Sequence, residues 1–306
     1  MLFSTLKKIV KKLPPVSRLI AENEALIKAQ GFVPPGHFYS PIVSLDEARK
    51  DLGRIFPEAI PTQIPGINLN EQGQLALLAE FEKLYPAINF PEQKNETHRY
   101  YYQNNMYSYS DAIVLHSMIR HLRPKKIIEA GSGYSSCVML DTNEQFMGNE
   151  IQLTFLDPYP KALQTLIRPT DLPSIEILPK RMQELPLEMF KQLEAKDILF
   201  IDSTHISKTG SDVNYLLFEI LPSLNEGVYV HIHDIFYPFE YPQEWIFEGR
   251  SWNEIYALRA FLQYNSKVSI EFMNTYLAHF HTARFAENMP LCLKNRGGSI
   301  WLRKQE

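Results

Sequence analysis

Four residues in the second half of the chain carry groups suited to moving a proton or holding a cation: Asp202, His205, His233 and Asp234. An imidazole titrates near neutrality and can take a proton from a hydroxyl nucleophile. Carboxylates beside an imidazole are also donors for a divalent ion, with Mn, Fe, Ni or Zn better suited than Mg to a nitrogen ligand. Asp202 and His205 follow the apolar run Asp197–Ile201, and His233 and Asp234 follow Gly227–Ile232. The strand period of two places His231 on the same face as His233.

A second constellation lies upstream. Glu129-Ala130-Gly131-Ser132-Gly133-Tyr134-Ser135-Ser136 reads as a strand end, a glycine turn and a helix start. Glycines let a ligand approach the backbone closely. A helix N-terminus offers unpaired N–H groups to a carboxylate or phosphate. Asp157, followed by Pro158, closes the next strand just over 20 residues later, where an acid can accept hydrogen bonds from both hydroxyls of a ribose. The three-glycine dinucleotide pattern wants a glycine at position 136, and this chain has Ser136.

These residues need a scaffold that gathers strand ends. Short apolar runs at 126–129, 151–156, 174–178, 197–201, 227–232 and 267–272 alternate with helical patterns at 134–142, 161–167, 187–194, 213–221 and 252–264. A last strand at 299–303 follows a stretch read as loop-rich, without a crossover helix. Repeated strand–helix units imply a doubly wound α/β sheet with right-handed crossovers, and the last two strands can form an antiparallel pair at one edge. Ligands of such sheets bind beyond the carboxyl ends of the strands.

With that frame, E-x-G-S-G-x-S followed by a strand-end Asp resembles the class I S-adenosylmethionine-dependent methyltransferases. The nearest likeness is to the bacterial group that includes macrolide and sugar O-methyltransferases, and it covers roughly residues 100–303. It implies a Rossmann-like sheet of seven mostly parallel strands with an antiparallel last strand. It also implies S-adenosylmethionine as cofactor, held by Glu129, Gly131, Ser132, Gly133, Ser135, Asp157 and Pro158. Arg181 and Met182, in the turn after the third strand, would lie beside the adenine. Ile201-Asp202-Ser203-Thr204-His205 is similar to the family's I-D-G-D-H run, with Ser203 and Thr204 in place of Gly and Asp. Metal-dependent relatives place an Asp–Asp pair where this chain has His233-Asp234, so the resemblance implies a divalent metal on Asp202, His233 and Asp234. Methyl transfer with His205 or His233 as a base and no metal stays open beside it. The implied acceptor is a hydroxyl oxygen of a small molecule, a sugar or another secondary metabolite. The rival readings are an NAD-dependent oxidoreductase on a similar sheet and a catalytically inactive cofactor-binding or scaffold protein.

The chain has 306 residues, 45% of them hydrophobic and 22% charged, with a formal net charge of -4. That balance gives no basic footprint for nucleic acid. Two cysteines, Cys137 and Cys292, make neither a disulfide framework nor a Cys-based zinc site, which fits a reduced, cytoplasmic setting. No apolar run reaches the roughly 18–20 residues needed to cross a bilayer. Residues 1–100 read as a helical, loop-rich extension, with helices at 15–30, 44–56 and 72–85, before a domain spanning 101–306. The N-terminal MLFSTLKKIVKKLPP alternates apolar residues with four lysines. It fits either an amphipathic helix packed on its own domain or a peripheral membrane contact. Two aromatic clusters, at 100–109 and 236–242 with Trp245 and Trp252, are candidates to cover a ligand.

Overall fold

The computed structural model describes residues 14–29 and 31–306. The lysine-rich stretch read as an amphipathic helix lies mostly outside these residues. The chain clusters into two units, one of residues up to Ala59 with Gln243–Ser251, the other of Ile60–Pro242 with Trp252–Glu306. The border expected near residue 100 thus differs from the contact border at Ile60.

The smaller unit holds the helix Pro14–Ala29 and a second helical stretch that the sequence reads as continuous over 44–56. It is divided at Asp51 into Leu45–Lys50 and Leu52–Ile55. Ser44 caps the first piece by accepting from the Glu47 N–H at 3.4 Å.

The larger unit is built on one sheet. Its strands are β1 (Lys126–Ala130), β2 (Gln152–Leu156), β3 (Ile175–Leu178), β4 (Ile198–Ile201), β5 (Tyr229–His233), β6 (Val268–Met273) and β7 (Ser299–Lys304). Their order is β3-β2-β1-β4-β5-β7-β6. The first five are parallel, and β7 runs antiparallel between β5 and β6. This is the mostly parallel seven-stranded sheet expected from the alternation of patterns. β4 is buried along its whole length and β1 along all but its first residue, as strands covered on both faces must be.

Register decides where the chemistry falls. Ala130 pairs with Leu156 and Ile201, Leu156 with Leu178, and Ile201 with Ile232. The strands therefore end level, and Gly131, Asp157, Asp202 and His233 emerge on one edge. The order reverses between β1 and β4, which is where ligands of open α/β sheets bind.

The stretch between β6 and β7 corrects the expectation of loops. It holds helices Asn274–Phe280 and Thr282–Asn288 and a 3-10 turn, Pro290–Leu293. Tyr276, Leu277 and Phe285 are buried. The two helices meet at His281, and that break interrupts their helical spacing in the sequence. The helix expected at 213–221 is Asp212–Tyr215, then a π-helical turn, Leu216–Ile220, then Leu221–Ser223.

Two further features hold this frame. The free edge of β6 is covered from within the same unit: Asn70 Nδ2 donates to the Ile270 carbonyl at 2.9 Å, and the Met273 N–H donates to Gln74 Oε1 at 2.8 Å. On the other side, the buried Arg99 guanidinium bonds Asp141 at 2.7 Å, Glu144 at 2.6 Å and Asp171 at 2.5 Å and 2.8 Å.

Candidate active site

The turn after β1 owes its shape to Gly131. Its φ is +86°, and a Cβ there would sit 1.6 Å from the Asp202 carbonyl oxygen. Only glycine has both the backbone freedom and the missing atom. Gly133 is different: its backbone is extended at φ 174°, and a Cβ would meet nothing within 4 Å. The space in front of it opens at the N-terminus of the helix Tyr134–Phe146. Glu129 is fully buried beneath this turn and accepts from Ser135 Oγ at 2.5 Å and from Ser136 Oγ. Burial pushes its carboxyl up to about 8, against the pull of the two serine hydroxyls. Ser136 Oγ also receives the Gly133 N–H at 3.0 Å, so the residue that departs from the dinucleotide pattern caps the helix.

Asp157 is half-buried at the end of β2. It accepts from Ser132 Oγ at 2.6 Å and from the Tyr159 N–H at 2.7 Å, which ties the glycine turn to the second strand. Pro158 is exposed beside it. After β3, Met182 is buried at 4% exposure, while Arg181 reaches outward and pairs with Glu184 at 2.5 Å.

The acid–imidazole cluster assembles after β4 and β5. Thr204 donates to Asp212 through its N–H at 3.0 Å and its hydroxyl at 2.6 Å, bending the loop so that His205 takes a φ of +58° and turns inward. His205 Nε2 then lies 3.3 Å from Asp202 Oδ1 and 3.5 Å from Asp234 Oδ2, and Nδ1 lies 2.9 Å from Glu254 Oε2. Burial alone would lower the pKa of this imidazole, but its bonds to Asp202 and Glu254 raise it to about 10. Asp202 is held below the usual carboxylate range: burial pulls it up, and the charges of His233 and His205 outweigh that. The Trp252 ring packs 4.5 Å from the His205 ring.

His233 is buried at the end of β5, with Nε2 3.6 Å from Asp234 Oδ1. Burial lowers its pKa, and Asp234, Asp202 and Asp111 together raise it. His231, two residues earlier, lies in the core instead. Its ring stacks on Phe200 at 3.9 Å, neither ring nitrogen has a hydrogen-bond partner among the described residues, and burial keeps it neutral.

Among the described residues, the three donors that lie within 4.8 Å of one another are Asp202, His205 and Asp234. The expected metal set held His233 where the geometry brings His205. Two carboxylates and one imidazole nitrogen, with a further carboxylate behind the ring, fit a divalent cation. A protonated His205 among the same acids meets part of the same need for positive charge.

Two residues of this cluster have no counterpart in the sequence reading. Glu254 reads as an ordinary acid in the first turn of a helix, and Asp111 does too. Asp111 is buried near His233 and accepts from Asn274 Nδ2 at 3.0 Å and Ser299 Oγ at 2.9 Å. The aromatic clusters are mostly core. Tyr100, Tyr102, Tyr107, Tyr237, Phe239 and Tyr241 are all buried, because their rings pack on one another and on the sheet rather than over an opening.

Residues 128–235 match a family model described as a methyltransferase domain. That span runs from the middle of β1 to just past Asp234. An uncharacterized protein of Archaeoglobus fulgidus is 30% identical over 198 residues, spanning 63% of this chain and 86% of the relative. Among solved structures, the fold is similar to apo CmcI-N160, at 18% identity and TM-score 0.41, over 89% of this chain and 99% of that one. It is also similar to the O-methyltransferase TomG of Streptomyces achromogenes in complex with SAM, at 12% identity and TM-score 0.41, over 78% and 92%. No helix among the described residues is long and apolar enough to cross a membrane.

Proposed function

We propose that this chain, whose residues 128–235 match a model described as a methyltransferase domain, transfers a methyl group from S-adenosylmethionine to a hydroxyl oxygen of a small molecule. The observation that carries this reading is the meeting of the glycine turn and the acid–imidazole cluster at the sheet's switch point, where Gly131 and the Asp202 carbonyl touch.

In this reading the methionine part of the cofactor lies along Gly131 and Gly133, with its carboxylate toward the N-terminus of the helix Tyr134–Phe146. Glu129, Ser132 and Ser135 hold the turn rigid. Asp157 takes the ribose hydroxyls, and Pro158, Arg181 and Met182 border the adenine. Methyl transfer needs in-line approach of the acceptor oxygen to the sulfonium methyl, so the protein contributes positioning and proton removal. The acceptor would enter beside Asp202 and Asp234, a hydroxyl of a sugar or another secondary metabolite.

His205 is poorly placed as a general base, because both of its ring nitrogens face carboxylates of the protein, Nδ1 toward Glu254 and Nε2 toward Asp202 and Asp234. The same acids would instead make Asp202, His205 and Asp234 a seat for a divalent cation. A cation held there would make an acceptor hydroxyl more acidic and share its developing charge. His233, with Nε2 3.6 Å from Asp234 Oδ1, would hold Asp234 in place.

Titration of the purified protein with S-adenosylmethionine and with NAD, separately, tests the cofactor. Binding of NAD alone would reject the reading in favour of an oxidoreductase. Release of S-adenosylhomocysteine with candidate hydroxyl acceptors tests the reaction. Asp202→Asn should slow it by about a hundredfold or more; unchanged turnover would remove Asp202 from the chemistry.

A further inference from the structure

Glu254 and His205 are joined by more than one bond. The N–H groups of Asn253 and Glu254 both donate to the His205 carbonyl at 3.1 Å. The Glu254 carboxylate accepts from the ring of the same histidine at 2.9 Å. Asn253 locks the loop two residues further on, accepting from the Ser207 N–H at 2.6 Å and donating to the Ser207 carbonyl at 3.1 Å. Trp252 closes the face of the ring at 4.5 Å. Residues 252–254 therefore grip the backbone, the ring face and the ring Nδ1 of His205 at once.

Glu254 is fully buried, and its second oxygen, Oε1, has no hydrogen-bond partner among the described residues. A buried carboxylate with an unpaired oxygen destabilises a fold. Among the described residues, the hydrogen bond that explains it is the one to His205 Nδ1. Fixing a proton on Nδ1 forces the other nitrogen, Nε2, to face Asp202 and Asp234. Carboxylates behind metal-binding imidazoles set the ring's tautomer and direction in this way.

We propose that Glu254 is a positioning residue: it presents His205 Nε2 as a nitrogen donor to a divalent cation shared with Asp202 and Asp234, and so selects a transition ion such as Mn2+ or Zn2+ over Mg2+. The inference rests on the cation seat of the preceding section. Mg2+ is held mainly by oxygen ligands and retained water, so it gains little from an imidazole.

Calorimetric titration of the whole protein with MnCl2 and with MgCl2, wild type beside Glu254→Gln, tests this. Affinity for S-adenosylhomocysteine serves as the control for an intact fold. Wild type should bind Mn2+ more tightly than Mg2+. Glu254→Gln should lower Mn2+ affinity by about ten- to a hundredfold and leave Mg2+ within about threefold. In 15N spectra of wild type with Zn2+, the His205 ring should keep its proton on Nδ1 and show metal contact at Nε2. Equal Mn2+ affinity in wild type and a Glu254→Gln protein that still binds S-adenosylhomocysteine would overturn the proposal. So would Zn2+ contact at Nδ1, or wild type that binds no Mn2+. In that last case methyl transfer stands or falls separately, on cofactor binding and turnover. If Glu254→Gln fails to fold, Glu254→Asp and the wild-type zinc spectrum decide.

Discussion

The carbonyl oxygen of Asp202 occupies the place where a side chain on Gly131 would begin, 1.6 Å from the site of a Cβ. The cofactor turn and the acid that follows β4 are therefore one rigid piece. Gly131→Ala must shift the backbone on either side of the switch point as well as adopt a φ that L residues avoid. It should destabilise the protein by more than about 2 kcal/mol and abolish cofactor binding. Gly133→Ala, with open space and an extended backbone, should fold normally and lose cofactor affinity only through the space it fills. Thermal melts and S-adenosylhomocysteine titration of both variants check the contrast; equal melting temperatures would refute it.

Glu129 makes stability depend on pH. Its folded value, about 8, lies above its ordinary 4.5 because it is buried. A raised folded pKa contributes stability that is complete below about pH 4.5 and is lost as pH rises through about 8. Glu129→Gln keeps an acceptor for the serine hydroxyls and cannot ionise. Its stability relative to wild type should therefore climb across that window, by an amount on the order of 4 kcal/mol. Denaturant unfolding at a series of pH values reads the difference, and a constant offset would count against it.

Arg99 should be the most damaging surface-distant charge to remove. Arg99→Met leaves Asp141 and Asp171 buried with backbone N–H bonds but without the guanidinium that balances their charge, at a cost of about 3–5 kcal/mol. Burial raises the Asp171 pKa, but its bond to Arg99 outweighs that and holds it low. A lowered carboxylate contributes stability above its ordinary pKa and loses it as pH falls through the folded value. The wild-type advantage over Arg99→Met should accordingly shrink in acid, as chemical denaturation near pH 3 and pH 7 would reveal.

His231 is the opposite case. It is a neutral ring in the core with two unpaired nitrogens. His231→Phe removes both and keeps a flat ring against Phe200, so it should leave the melting temperature unchanged or raise it, with turnover retained. A loss of turnover without a loss of stability would show that this ring takes part in the reaction.

Most of the sheet was legible because its strands are short apolar runs, three of them followed directly by Gly131, Asp157 and Asp202, and such runs carry the signal of double burial. The level strand ends made Gly131, Asp157, Asp202 and His233 neighbours, as the alternation of patterns requires. Glu254 was not legible: an acid after Asn253 at a helix start has the same sequence whether it faces water or a histidine 49 residues away. His231 and His233 share a strand face, yet one is core and the other borders the cluster, since only the end of β5 reaches the sheet's edge. The tyrosines at 100–109 were ambiguous because a ring that stacks on a ligand and one that stacks on another ring look alike in sequence.

The seal on β6 sets where this protein can be cut. Asn70 and Gln74 supply the partners that an outermost strand otherwise seeks from another molecule. A fragment beginning at Phe90 would retain Arg99 and every residue of the proposed active site, yet lack Asn70 and Gln74 and so expose that strand. It should self-associate on light scattering, where one beginning near Ile60 should not. The first stretch of the larger unit thus guards the chain against its own copies.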